Sequence, residues 1–350
     1  MNIGIIGLGY WGPNIVRNFY TLPEVKIIIG CDQNVDRLKL IKEKFPQIRL
    51  VADSSELLRD KSIDAVVIAT PVESHFRLAE AALRSGKHVW IEKPLTRKSS
   101  DAFQLIDLAE RSKKIVMVDH TFVYTGAVRK MKEIVERGEL GIPYYFDSVR
   151  ANLGLFQSDI NVMWDLVPHD LSILQLLINK KPLAVSAHGL AKFNSVEHLA
   201  YVFLYLEDGF VAHFTSNWTS PVKIRRIILG GTKKMMLYDD METDEKIKVY
   251  DKGLTLESTE VDPYNPLQIL YRTGDMYSPK VEQKEALGVA AKEFIDSIVL
   301  NRPPLTGLRE GVDVVRILEA AEQSIKSRGK LVELDQWETK ILGTSNLVRT

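Results

Sequence analysis

The sequence predicts a doubly wound α/β domain with a parallel sheet, followed by an α+β domain with an open, mostly antiparallel sheet. Three observations carry this reading. Short β-branched runs alternate with helical segments up to about residue 120, longer alternating strands take over after residue 121, and a glycine-rich turn follows the first strand directly. The expected division is 1–120 and 121–350, with the last helices able to pack back on the first domain.

The strands expected in the first part are Ile3–Ile6, Val25–Cys31, Ala65–Ala69, His88–Ile91 and Ile115–Val118. Their near-continuous apolarity suits strands covered on both faces. Helical patterns at Glu73–Ser85 and Ser99–Ser112 lie between them. In the second part, helices are expected at Ala127–Arg137 and about Val162–Ile178. The alternating runs Tyr144–Ala151, Ala184–Phe193, Leu199–Glu207, Phe210–Ser216 and Lys223–Gly230 read as strands of a half-covered sheet. Glu207-Asp208-Gly209 is a hairpin turn, because Asp-Gly tolerates positive φ. Pro263, Pro266, Gly274 and Pro279 mark residues 262–280 as a long loop, and two helices, about Glu285–Asn301 and Glu310–Ser327, close the chain.

Composition excludes several classes of function. Lys plus Arg and Asp plus Glu each number 46, so no basic excess is available to neutralise a nucleic acid backbone. No run approaches the roughly 18 apolar residues of a membrane span. Cys31 is the single cysteine, and Met1–Gly7 lacks the pattern of a secretory signal, so the expected compartment is the cytoplasm. His188, His198 and His213 lack the spacing of metal ligands, and no metal is expected.

Gly7-Leu8-Gly9-Tyr10-Trp11-Gly12 fits G-x-G-x-x-G between a strand and a helix, with Pro13 suited to the first helical turn. In that setting Gly7 permits the turn, Gly9 lets a pyrophosphate approach, and Gly12 lets helix and strand pack, as in a Rossmann domain. Tyr10 and Trp11 belong to the same cofactor loop. Asp32 ends the second strand twenty residues beyond Gly12, where an acid accepts a ribose 2′-hydroxyl and repels a 2′-phosphate. NAD is therefore favoured over NADP. The competing role for Asp32 is a helix cap, which Asn34 can fill instead, and Arg37 one turn on softens the preference.

Hydride transfer also needs a group that exchanges the hydroxyl proton and a cation for the developing alkoxide. Glu92-Lys93-Pro94 follows the His88–Ile91 strand at its C-terminal end, where doubly wound sheets bind ligands. Asp165 and His169 stand four apart, which on a helix puts a carboxylate beside an imidazole. Pro168 between them marks a helix start or a kink.

These stretches, together with Ala69-Thr70-Pro71, His75 and Ser85-Gly86-Lys87-His88-Val89, occur in the order found in the glucose–fructose oxidoreductase/inositol dehydrogenase (Gfo/Idh/MocA) family, which the whole chain resembles. The resemblance implies oxidation or reduction at a carbon of a sugar, polyol or nucleotide-linked sugar. It implies that Lys93 polarises the reacting oxygen, that His169 is the general acid/base, and that Asp165 orients His169 or binds a neighbouring hydroxyl, with Asp170 behind them. Thr70, Pro71, His75 and Glu92 would line the nicotinamide end. One departure stands out. Where many members carry an arginine pair and a proline, this chain reads Asp119-His120-Thr121-Phe122-Val123-Tyr124-Thr125-Gly126.

Further substrate contacts are expected from Tyr124, from Asn152 within the polar segment Asn152–Asp159, and from Arg272 toward a phosphate. Two other readings compete: an NAD-binding sensor that has lost chemistry, and a glycosidase using tightly held NAD. Retention of Lys93, Asp165 and His169 weighs against the sensor. Tyr201, Phe203, Tyr205, Phe210 and Phe214 alternate on strands, so some must leave the domain's own core; a homodimer or homotetramer through the second sheet is expected.

Overall fold

The computed structural model describes residues 1–154, 156–157, 160–193, 195–258 and 267–335. Chain order begins with β1 (Asn2–Ile6), α1 (Gly12–Tyr20), β2 (Ile27–Cys31), α2 (Val35–Lys44), β3 (Arg49–Val51) and α3 (Ser54–Arg59). It continues with β4 (Ala65–Ile68), α4 (His75–Arg84), β5 (His88–Glu92), α5 (Ser99–Ser112), β6 (Val116–Asp119) and α6 (Gly126–Glu136). Next come β7 (Pro143–Leu153), α7 (Val162–Leu177), β8 (Pro182–Leu190), β9 (Leu199–Leu206), β10 (Val211–Asn217) and β11 (Thr219–Gly231). The remainder is β12 (Met235–Asp239), β13 (Ile247–Ser258), β14 (Leu267–Tyr277), α8 (Ala286–Val299), α9 (Leu308–Lys326) and β15 (Val332–Glu333).

Two compact units result. Among the described residues, the first comprises Met1–Val128 and Gln283–Arg316; the second comprises Arg129–Glu282 and Ile317–Asp335. In the first unit a parallel sheet runs in the order β3-β2-β1-β4-β5-β6. Ile3, Ile5, Val66, Val67, Val89 and Val118 are fully enclosed, each worth about 1.5–3 kcal/mol for its buried side chain. Phe294 of α8 meets Phe19 of α1 and Trp90 of β5 edge-on, at 6.4 and 5.7 Å, which ties α8 to this core. The sequence reading omits β3 and α3, because three residues of strand give no measurable period. The helix expected from Glu73 begins instead as a 3-10 turn at Val72–Ser74 and becomes α-helical at His75.

The second unit holds a nine-stranded sheet, β14-β13-β12-β11-β7-β10-β9-β8-β15, antiparallel except where β10 lies parallel to β7. α7 packs on β7, β9 and β10. On β9 the alternation is clean: Ala200, Val202, Leu204 and Leu206 are buried, and Tyr201, Phe203 and Tyr205 point to the other face. Phe210 and Phe214, grouped with them in the sequence, are buried. The Asp208-Gly209 turn has positive φ at both residues, as a tight connection requires.

The expected loop over 262–280 is corrected. Residues 267–277 form β14, paired antiparallel with β13, and Pro263 and Pro266 lie outside the described residues. Punctuating glycine and proline hid a strand whose stability comes from its ladder.

Candidate active site

In the first unit the β1–α1 turn separates its glycines by role. A Cβ on Gly7, at φ +97, would fall 2.5 Å from the Ala69 carbonyl, and one on Gly12 would fall 2.6 Å from the Gly7 carbonyl. Both glycines are demanded by backbone packing. Gly9 differs, since its nearest neighbour is the half-exposed Arg37 guanidinium at 3.5 Å. The Gly9 backbone is therefore open to a ligand, and α1 begins beside it with no side-chain cap, leaving amides for an anion. Tyr10 and Trp11 on this loop are both exposed.

Asp32 is buried at the end of β2. Its Oδ2 accepts the Leu8 N–H at 2.7 Å and lies 3.4 Å from Arg37 Nη1, while its Oδ1 accepts the Asn34 N–H at 2.8 Å. Asn34, not Asp32, caps α2, accepting from the Asp36 and Arg37 amides. A carboxylate has about four acceptor positions, so three donors leave one for a ribose hydroxyl. The open Gly9 backbone, the uncapped helix and this acid fit NAD.

Two turns meet at His75. Its Nε2 lies 2.8 Å from the Thr70 carbonyl and its Nδ1 lies 2.9 Å from the Pro94 carbonyl, which joins the Thr70-Pro71 turn to the Lys93-Pro94 turn across a cis peptide. Burial lowers the pKa of His75, and a neutral ring has one N–H for these two acceptors. His75 is 1% exposed, so it corrects the expectation of a ligand contact: it holds the turns that carry Thr70, Pro71 and Lys93. Lys93 itself is partly exposed just past β5.

Behind Lys93, Glu92 and Asp119 are register partners on β5 and β6. Both are buried, and burial first, then the other acid, drives Glu92 well above the usual carboxylate range. Burial lifts Asp119 to about 6, and Thr121 Oγ1 donates to its Oδ1 at 2.9 Å. His120 is fully enclosed, and burial with the nearby Lys93 charge lowers it to about 3.

In the second unit α7 starts at Asn161, whose side chain accepts the Trp164 N–H and donates to Glu197. The helix runs through Pro168 without ending, so Asp165 and His169 lie one turn apart on it, both partly exposed. Trp218 Nε1 donates to Asp165 Oδ2 at 3.1 Å. Asn152 and Trp218 both flank Gly154, where an added Cβ would lie 3.0 Å from Asn152 Nδ2 and 3.1 Å from Trp218 Cδ1. Of the polar segment Asn152–Asp159, Leu155, Ser158 and Asp159 lie outside the described residues.

Three further expectations are corrected. Asp170 is 3% exposed and spent inside the protein, accepting Arg150 Nε at 2.8 Å and Ser148 Oγ at 2.5 Å. Tyr124 is equally enclosed, its hydroxyl 2.9 Å from Thr306 Oγ1, so it packs instead of meeting a sugar. Arg272 stands on β14, pairing with Asp251 at 3.0 Å and donating to the Lys233 carbonyl, which neutralises it as a phosphate group's partner.

Trp218 and Arg150 escaped the sequence reading. Arg150 had a signal, since it shares the inward register of β7 with Phe146 and Ser148. Trp218 had none, because only the fold brings it to Asp165.

A cleft of about 530 Å³ at the opposite end of the first sheet is lined by Lys61, Asp64, Lys87, His88 and Lys114. Two of these groups are committed to the fold: Lys87 donates to the Asp60 and Ile63 carbonyls, and Asp64 accepts the Asn2 amide. Among the described residues no group of three His, Cys, Asp or Glu side chains can hold a metal, and no helix is long and apolar enough to cross a membrane.

A dinucleotide cradle on one unit and an Asp–His helix on an open sheet in the other define an NAD-dependent oxidoreductase. Residues 1–120 match the oxidoreductase family with an NAD-binding Rossmann fold, and residues 128–237 match the GFO/IDH/MocA C-terminal domain. The chain belongs to the Gfo/Idh/MocA family. It is 25% identical to the UDP-N-acetylglucosamine 3-dehydrogenase of Acidithiobacillus ferrooxidans, covering 92% of this chain and 96% of that one. It is 27% identical to the myo-inositol 2-dehydrogenase of Thermotoga maritima, covering 96% and 99%. Among solved structures it shares its fold with a levoglucosan dehydrogenase in complex with NADH and levoglucosan (TM-score 0.81, 18% identity, 96% of this chain and 100% of that one).

Proposed function

We propose that the protein moves a hydride between NAD and a secondary CH–OH carbon of a sugar, polyol or nucleotide-linked sugar. The observation that carries this is the clamped Lys93 turn, held by His75 to the Thr70-Pro71 turn at the C-terminal end of the NAD-binding sheet. The named relatives, one acting on a UDP-sugar and one on an inositol, support the substrate class.

Bound NAD supplies the hydride acceptor. In this reading Lys93 donates a hydrogen bond to the reacting oxygen and stabilises its negative charge as the proton leaves. His169 accepts that proton from the hydroxyl and returns it in the reverse direction. Asp165, fixed by the Trp218 indole, orients His169 or accepts from a neighbouring hydroxyl. Gly9, the start of α1 and Asp32 hold the pyrophosphate and ribose, and Tyr10 and Trp11 flank them.

A screen of free sugars, polyols and nucleotide sugars with NAD, read as NADH absorbance, tests the proposal. At least one class should give sustained NADH formation. If every class fails while NAD binds, the reading as an active dehydrogenase is wrong, and a sensor or a glycosidase with tightly held NAD takes its place.

A further inference from the structure

We infer that Glu92 and Asp119 share a single proton and so present one negative charge to Lys93, making Asp119 a positioning residue for the reaction; this rests on the dehydrogenase reading above.

The geometry comes first. Parallel pairing of β5 and β6 sets Glu92 opposite Asp119 at the strand ends, and Lys93 is the next residue. Asp119 Oδ1 is satisfied by Thr121, but Asp119 Oδ2 is buried with no donor among the described residues. Two ionised carboxylates offer each other only acceptors, at a distance where like charges repel strongly. A proton carried by one of them supplies the missing donor and removes the repulsion. Burial raises both acids, Glu92 the further, so the proton resides on Glu92 and Asp119 carries the charge at neutral pH.

The surroundings agree on one net charge. Lys93 is the cation acting on both acids. From the turn after β6, His120 is enclosed with both ring nitrogens lacking a partner among the described residues, and its lowered pKa leaves it neutral. From α4, buried His75 is occupied by backbone carbonyls. Of these groups Asp119 is the one that presents a negative charge to the Lys93 ammonium, and that charge disappears when Asp119 is protonated below about pH 6.

Infrared spectroscopy of the full chain, with or without NAD, tests the proton directly. The wild type should show a protonated carboxyl C=O band at neutral pH that Glu92→Gln removes, and a second such band gained as pH falls through about 6, which Asp119→Asn removes. Glu310, also raised by burial, is unchanged in these variants, so any contribution it makes cancels in difference spectra. Absence of a neutral-pH band sensitive to Glu92→Gln would overturn the shared proton. These spectra do not depend on turnover, so they stand even if no substrate is found.

The positioning role has its own readout. Asp119→Asn keeps size and hydrogen bonding but removes the charge, so kcat should fall on the order of tenfold, with NAD affinity and thermal stability nearly unchanged. A wild-type kcat and pH profile in Asp119→Asn would overturn it.

Discussion

At the residue scale, Asp32 does two jobs, and its substitution should expose both. In the proposed function it selects the ribose hydroxyl, and it also accepts the Leu8 amide and so fastens the glycine turn to β2. Asp32→Ser should therefore narrow the gap between NAD(H) and NADP(H) chiefly by weakening NAD(H), by about tenfold or more for a charge-assisted bond worth about 1.5–3 kcal/mol. Calorimetric titration of both cofactors decides it; unchanged NAD(H) affinity would show that Asp32 serves only the loop. Lys93 and His169 should separate from cofactor binding. His169→Ala and Lys93→Ala should each reduce turnover by about 10²–10⁴-fold, with NAD affinity retained, since the proposed dinucleotide contacts are at Gly9 and Asp32. Lys93→Arg should not rescue, because a planar guanidinium does not replace a compact ammonium at one oxygen. Steady-state kinetics with cofactor titrations on the same variants checks this, and wild-type turnover in either alanine variant would remove the assignment.

At the element scale, β5 carries an acid-sensitive contact at its start. His88 Nδ1 accepts the Ile115 amide at 3.0 Å, which only an unprotonated nitrogen can do. Burial, with Lys114 nearby, lowers its pKa to about 4. Between about 6.5 and 4 the unfolded chain takes up a proton that the folded chain refuses, so this contact's stability is full above pH 6.5 and is lost as pH falls. His88→Asn supplies a neutral acceptor and should flatten the decline in urea stability from pH 7 to 5. The difference expected is about 1–2 kcal/mol after discounting for a partly exposed ring. Parallel curves for the two proteins would mean that His88 is not an acid-labile group. This contact also marks where sequence reading stops. The run His88–Ile91 announced a strand through apolarity, and Asp165…His169 announced a shared helix face through spacing. Both signals are local. The partners that complete those groups, Ile115 for His88 and Trp218 for Asp165, lie 27 and 53 residues away and follow no period. β14 failed for a related reason: Gly274 reads as a breaker, and only pairing with β13 makes the segment a strand.

At the scale of the whole molecule, the second unit's sheet has one face covered by α7 and another that shows Tyr201, Phe203 and Tyr205 at 41%, 38% and 39% exposure. Between them on β10, His213 stacks on Tyr201, packs 4.6 Å from Phe203 and bonds Asp147 at 2.7 Å. Four rings on two adjacent strands, β9 and β10, make a continuous surface with Asp147 of β7 as its one acid, unlike the scattered apolar residues of a monomer's exterior. Their order is fixed by the ladder, so a second copy would meet a rigid surface and lose little conformational entropy on docking. An interface of ordinary size buries about 800 Å² per partner, which several strands of such a face can provide. We therefore expect a dimer or tetramer through this sheet. Light scattering of the wild type should give a multiple of 39.7 kDa. The double change Phe203→Glu and Tyr205→Glu should shift it toward the monomer, because two carboxylates would have to lose their water in the interface. The buried alternates Val202 and Leu204 are untouched, so circular dichroism of the variant should remain native. A wild type that stays at the monomer mass at micromolar concentration would refute the interface, and an oligomer indifferent to both glutamates would place it on another surface.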